Sequence, residues 1–187
     1  MPSSNSPVSR QDEAPARTSL SHAAPHNSAG RDFRAIDHIA IAVIDLEQGI
    51  DYFSRVLGFS LIRRLQISGQ RTGMLSAEME MNGIKFVLCQ GTERDSQVSR
   101  LIEHFGPGVA HIALSVSDVD STAQVLAEQG MGFATTVIRG PGLTQVFSTR
   151  DANTGMSFEF IERSGEPGFL KGNVDELFAQ LEQSGAF

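Results

Sequence analysis

The chain contains one strand pattern twice. Asp37-His38-Ile39-Ala40-Ile41-Ala42-Val43-Ile44-Asp45 aligns with Ala110-His111-Ile112-Ala113-Leu114-Ser115-Val116-Ser117-Asp118, with His, Ile, Ala, Val and Asp at matching offsets. A repeat of this kind constrains the fold strongly, because one supersecondary unit cannot bury its apolar face alone and must pack against its copy. The segments after the two strands also match each other. Residues 46–57 have helical spacing, with Leu46, Ile50, Phe53 and Leu57 on one face and Gly58 as the stop. Residues 119–129 behave alike, with Val119, Ala123, Leu126 and Ala127 inward and Gly130 as the stop. Asp45 and Asp118 stand where side-chain oxygens cap helix N-termini.

Three strand-like runs come after each helix, at 60–67, 74–81 and 84–90 and then at 133–137, 143–149 and 157–162. Asn82-Gly83 is a hairpin signal, and Gly140-Pro141-Gly142 reads as another turn. The pattern predicts an α+β fold of two βαβββ modules, about 33–91 and 109–163, curled into a half-open barrel around a cavity. An extra helix over 96–105 joins them and ends at Gly106-Pro107-Gly108. A C-terminal amphipathic helix covers about 173–184. Residues 1–32 are rich in Ser, Pro, Ala and Asn without apolar periodicity, which predicts a disordered tail before a single domain over 33–187. His22 and His26 in that tail lack rigid neighbours and read as solvated.

Composition removes several function classes. A formal charge of −7, with no run of basic residues, argues against nucleic-acid and anionic-membrane partners. No apolar stretch approaches the length of a bilayer span, and no signal-peptide pattern opens the chain. The single cysteine, Cys89, fits a reducing, cytoplasmic setting and reads as a core residue. His104, just before a Gly-Pro-Gly break, is expected to interact with a helix C-terminus.

Strand periodicity singles out three residues. Alternate side chains share a face, so His38 lies with Ala40 and Ala42, and His111 with Ala113, Ser115 and Ser117. Small neighbours leave room beside each histidine. Glu159 lies in Ser157-Phe158-Glu159-Phe160-Ile161-Glu162, on the face opposite the two phenylalanines. A buried carboxylate is costly unless paired or bound to a cation. One histidine on an apolar strand is ordinarily a hydrogen-bonded core residue. Two at equivalent repeat positions, with one strand glutamate, form a 2-His-1-carboxylate set that suits iron(II) with open positions. Residue identity alone also permits zinc, manganese or cobalt.

Longer stretches carry a family resemblance covering roughly 33–183. They are 96–114 with its Gly106-Pro107-Gly108 turn, Leu143-Thr144-Gln145-Val146-Phe147-Ser148-Thr149, 157–163, and Gly172-Asn173 followed by Leu177-Phe178. The chain resembles the vicinal oxygen chelate (glyoxalase/bleomycin resistance/dioxygenase) superfamily. Within it, it looks like the C-terminal iron-binding domain of 4-hydroxyphenylpyruvate dioxygenase and 4-hydroxymandelate synthase. The resemblance implies Fe(2+) on His38, His111 and Glu159, and an oxygenase that uses O2 to decarboxylate and hydroxylate a 2-oxo acid. It places Ser76, Gln90, Ala110, Gln145, Phe147, Asn173 and Val174 against the substrate, with Gln145 and Asn173 orienting it and the C-terminal helix as a lid. Phe86 is placed near the fourth ligand of glyoxalases and epimerases, where its side chain favours the three-ligand iron arrangement. The family usually has glutamine at Ala110 and phenylalanine at Val174, which implies retained chemistry on a smaller or differently polar 2-oxo acid. A homodimer is compatible with the resemblance. A metal-dependent isomerase or lyase of the glyoxalase/epimerase type, or a non-catalytic small-molecule-binding protein, are the alternatives.

Overall fold

A computed structural model of the 187-residue chain describes residues 32–69, 71–165, 175–176 and 179–180. The first module is β1 (Ala35–Ala42), α1 (Leu46–Asp51) continued by a π-helical segment (Tyr52–Val56), β2 (Ser60–Ser68), β3 (Gly73–Met81) and β4 (Ile84–Gly91). A connecting helix, α2 (Gln97–Phe105), leads to the second module. That module is β5 (Gly108–Ser115), α3 (Val119–Glu128), β6 (Ile138–Gly140), β7 (Leu143–Phe147) and β8 (Phe158–Arg163). One eight-stranded mixed sheet runs β2-β3-β4-β1-β5-β8-β7-β6 and curls into a half-barrel. The expected fold class is therefore the observed one.

The repeat fixes the symmetry of the sheet. In each module the first strand pairs parallel with the last, β1 with β4 and β5 with β8. The modules meet where β1 pairs antiparallel with β5. Alternation then sorts the side chains. His38, Ala40 and Ala42 are buried on the inner face, while Ile41 and Val43 pack under α1 with Leu46, Ile50 and Leu88. Phe160, Val116 and Leu114 pack likewise under α3. Both caps form: Asp45 accepts the Gln48 N–H and Asp118 the Ser121 N–H, at 2.9 Å each. Such caps contribute about 1 kcal/mol apiece. Asn82 and Gly83 adopt positive φ (52° and 80°), as a tight β3–β4 hairpin requires.

Three local expectations need correction. The helix over 46–57 is α-helical only to Asp51, and the wider π turn keeps Phe53 against Phe59 and Phe86 while Leu57 becomes exposed. In α3 Thr122, not Ala127, fills an inward place, its hydroxyl donating to the Asp118 carbonyl. The strand expected at 133–137 is only an isolated bridge at Phe133, and β6 begins at Ile138. There the Thr135 hydroxyl accepts the Phe147 N–H that a regular ladder would give to a carbonyl.

Asp175, Glu176, Ala179 and Gln180 are helical, and Gln180 accepts from the Thr136 N–H at 3.0 Å. Residues 1–31 of the tail expected over 1–32, and Asn173 and Val174, lie outside the described residues. No helix among the described residues is long and apolar enough to cross a membrane.

Candidate metal centre

Three adjacent strands bring the metal candidates together. Ala113 on β5 has His38 of β1 as cross-strand partner on one side and Glu159 of β8 on the other. Their backbones are thus two strand spacings apart, about 10 Å. The long side chains of His38 and Glu159 meet over this fully buried alanine, with His38 Nε2 3.2 Å from Glu159 Oε2. His111, two residues before Ala113, brings its Nε2 to 3.4 Å from the same oxygen. The imidazoles lie edge to face, 5.5 Å between centroids. One donor atom from each residue falls within a 4.8 Å cluster.

The donor set fits a divalent cation. Both Glu159 oxygens are buried and neither has a hydrogen-bond partner among the described residues. A buried, unsatisfied carboxylate facing two imidazole nitrogens is costly in isolation and favourable around a cation. The electrostatics agree. Burial opposes charge on His38, but the Glu159 carboxylate and the contacts to Asp37 and Glu159 raise its pKa to about 9. Burial would raise Glu159, yet the His38 charge and short contacts to both imidazoles hold it at about 2. Burial lowers His111. A field that favours a proton at His38 also favours a metal ion there.

His38 has a supporting pair behind it. Its Nδ1 lies 2.9 Å from Asp37 Oδ1. The Arg163 guanidinium donates to both oxygens of Asp37, at 2.7 and 2.9 Å. The β1–β5 register shifts between Ile36 and His38, so Asp37 is the extra residue of a bulge, a device that re-aims side chains. Arg163 holds Asp37 well below the usual carboxylate range against the opposing effect of burial. Sequence reasoning missed this pair, although Asp37 stands beside the first histidine.

The repeat locates the fourth ligand position. Ala113 pairs with Glu159 in the second module, and its counterpart Ala40 pairs with Val87 in the first. Val87, not Phe86, is the counterpart of Glu159, and it lines the same small pocket. Phe86 points to the other face, with its ring 5.1 Å from Phe53 and 5.4 Å from Phe59. One step of strand alternation separates the two, and valine carries no donor.

A pocket of about 50 Å³ at His38, His111 and Glu159 is also lined by Ser76, Gln145 and Phe147. Gln145 is buried and its amide has no partner among the described residues. A larger cavity of about 610 Å³ adjoins, with His111 and Phe147 on both walls and Ala110 on its own. Cys89 is buried in the core, as expected, and also lines both pockets; burial pushes its thiol up to about 12. Gln90, expected in the pocket, is one residue out of phase with Cys89 and accepts the Leu46 N–H at the start of α1. His104 stays on the last turn of α2, with Nδ1 2.8 Å from the Arg100 carbonyl. Arg150 lines the larger cavity, donates to the Ala110 and Gly155 carbonyls, and forms no carboxylate pair among the described residues.

Residues 35–160 match the sequence profile of the Glyoxalase/Bleomycin resistance protein/Dioxygenase superfamily. A 4-hydroxyphenylpyruvate dioxygenase from Pseudomonas aeruginosa is 29% identical over 84% of this chain and 54% of its own length. The chain spans about half the length of the curated relatives it matches first. A mutant 4-hydroxymandelate synthase from Streptomyces coelicolor shares the fold, with TM-score 0.71, 20% identity, and coverage of 80% of this chain and 54% of that one. A variant methylmalonyl-CoA epimerase from the same organism has TM-score 0.60 and 25% identity over 70% of this chain and 97% of its own.

Proposed function

Because the chain belongs to the glyoxalase/bleomycin resistance protein/dioxygenase superfamily, we propose that it is a non-haem Fe(II) dioxygenase that oxidatively decarboxylates and hydroxylates a 2-oxo acid. The ligand count carries this reading. His38, His111 and Glu159 supply three donors, and Val87 stands where a fourth would come from. Three protein ligands leave positions open for substrate and O2. Fe(II), when bound, supplies the Lewis acidity that polarises a 2-oxo acid and the electrons that activate O2.

The chain's own residues bind, orient and exclude water. The Gln145 amide, buried beside Glu159, offers a donor and an acceptor to the substrate, and Ser76 adds a hydroxyl on the same wall. Phe147 stands edge-on to His111 at 5.2 Å and keeps that side apolar. The larger cavity lies within the roughly 300–1,000 Å³ usual for small-molecule sites. Leu101, Phe105, Ala40 and Ala42 give it an apolar body, and Arg150 adds a cation. That combination supports an acid with a bulky apolar part over a smaller one. Asn173 would orient the substrate with Gln145, Val174 would pack against it, and the helix over 173–184 would be the lid. We place the enzyme in the cytoplasm as a single domain over 33–187, with a homodimer as the assembly.

The test is anaerobic reconstitution with Fe(II), then O2 uptake across aryl and alkyl 2-oxo acids. Uptake matched by CO2 release is expected. No uptake with any acid, despite bound iron, overturns the oxygenase reading. One observation favours an isomerase of the epimerase type: the similarity spans 97% of the epimerase chain but only about half of the dioxygenase relatives. Anaerobic exchange of substrate protons with solvent deuterium, supported by Co(II) or Mn(II), would identify that chemistry.

A further inference from the structure

The two histidines are equivalent in sequence but not in surroundings. Asp37 backs His38, and the matching position before His111 is Ala110. Arg163 lies four residues after Glu159 on β8, and the matching residue of β4, four after Val87, is Gly91. The carboxylate–arginine pair is therefore built on one module only. His38 and Glu159 are almost fully buried and line only the small pocket, whereas His111 is partly exposed and also faces the 610 Å³ cavity.

We propose that Asp37 and Arg163 are positioning residues that make His38 the fixed ligand of the centre and leave His111 as the ligand on the substrate side. This rests on the metal reading above. Asp37 Oδ1 accepts the Nδ1–H of His38, which selects the tautomer whose Nε2 lone pair points toward Glu159. Arg163 holds Asp37 through two hydrogen bonds, so the carboxylate cannot swing away from the ring. Because Arg163 and Glu159 share β8, one strand carries both a ligand and the brace for the ligand opposite. The brace also crosses the module boundary, tying β1 to β8.

The experiment titrates the full chain with Co(II) against a competing chelator, with the Co(II) absorption spectrum as a second readout. Wild type is expected to bind one ion. Asp37→Asn keeps size but removes the charge and admits the wrong tautomer. It is expected to weaken Co(II) 10–100-fold, the usual effect of removing such a partner, and to shift the absorption bands. Arg163→Met is expected to do the same, Arg163→Lys to recover only part of that loss because it keeps the charge but not the two-pronged contact, and Asp37→Asn with Arg163→Met together to lose no more than Asp37→Asn alone. Circular dichroism establishes that each variant is folded. If the wild type binds no Co(II), the metal reading fails and this inference with it. If the wild type binds and folded Asp37→Asn and Arg163→Met bind equally well with an unchanged spectrum, only the positioning role is overturned. If Arg163→Lys binds as tightly as the wild type, a single charge suffices and the paired-fork geometry is overturned.

Discussion

Glu159 and Val87 occupy the same place in the two modules, each on the last strand and each opposite the alanine two residues after a histidine. One position carries a carboxylate and the other a hydrocarbon. The difference sets the number of protein ligands the centre can offer. Val87→Glu is therefore expected to add a fourth ligand. Metal binding should be retained or tightened, while O2 uptake with the wild type's best 2-oxo acid should fall at least tenfold. Metal analysis and an oxygen electrode on the same preparation check both halves.

Ala113 is the spacer over which His38 and Glu159 meet. It is fully buried. Ala113→Leu places extra methyl groups between the two ligands. Overpacking of this kind costs about 1–3 kcal/mol of stability, and Co(II) affinity should fall at least tenfold. Ala113→Gly should lose stability without that loss of affinity. Thermal unfolding and chelator competition separate the two effects.

Removing a ligand should abolish stoichiometric metal. His111→Ala and Glu159→Ala are each expected to bind Fe(II) at least 100-fold more weakly than wild type. Glu159→Ala also removes the carboxylate that faces both imidazoles and holds His38 charged in the metal-free fold. The metal-free variant should therefore unfold earlier than the metal-free parent near pH 7. Paired melts with and without chelator check this.

The pH dependence has a defined sign. His38 is raised from 6.5 to about 9 in the folded chain. Its charge therefore stabilises the metal-free fold fully below about pH 6.5, and that contribution is lost as pH rises through 9. Metal binding needs the neutral ring and displaces the proton. The metal-free melting temperature should fall between pH 7 and 9.5, while metal affinity should rise over the same interval. Calorimetry in buffers of different ionisation enthalpy should show about one proton released per metal near pH 7.5.

Cys89 should be inert. Its thiol is buried and pushed up to about 12. Alkylation by iodoacetamide at pH 8 should be far slower than for a free cysteine peptide, and unfolding in urea should restore the rate. Mass spectrometry gives the rate in both states.

The sequence by itself determined the modules, their helix caps, the Asn82-Gly83 hairpin and the alternation that puts His38 and His111 on inner faces. These features obey local rules: a period of two in strands, a period near 3.6 in helices, and oxygen side chains at helix starts. Tertiary structure decided what depends on register between strands distant in sequence. It set Val87 rather than Phe86 at the fourth-ligand position, and turned Gln90 outward to α1 although Ser76 and Cys89 face in. It also joined Asp37 to Arg163 across the module boundary. A shift of one residue in a strand reverses which side chains face the cavity. Such a shift is invisible along the chain, and only the paired sheet, with its bulge at Asp37, fixes it.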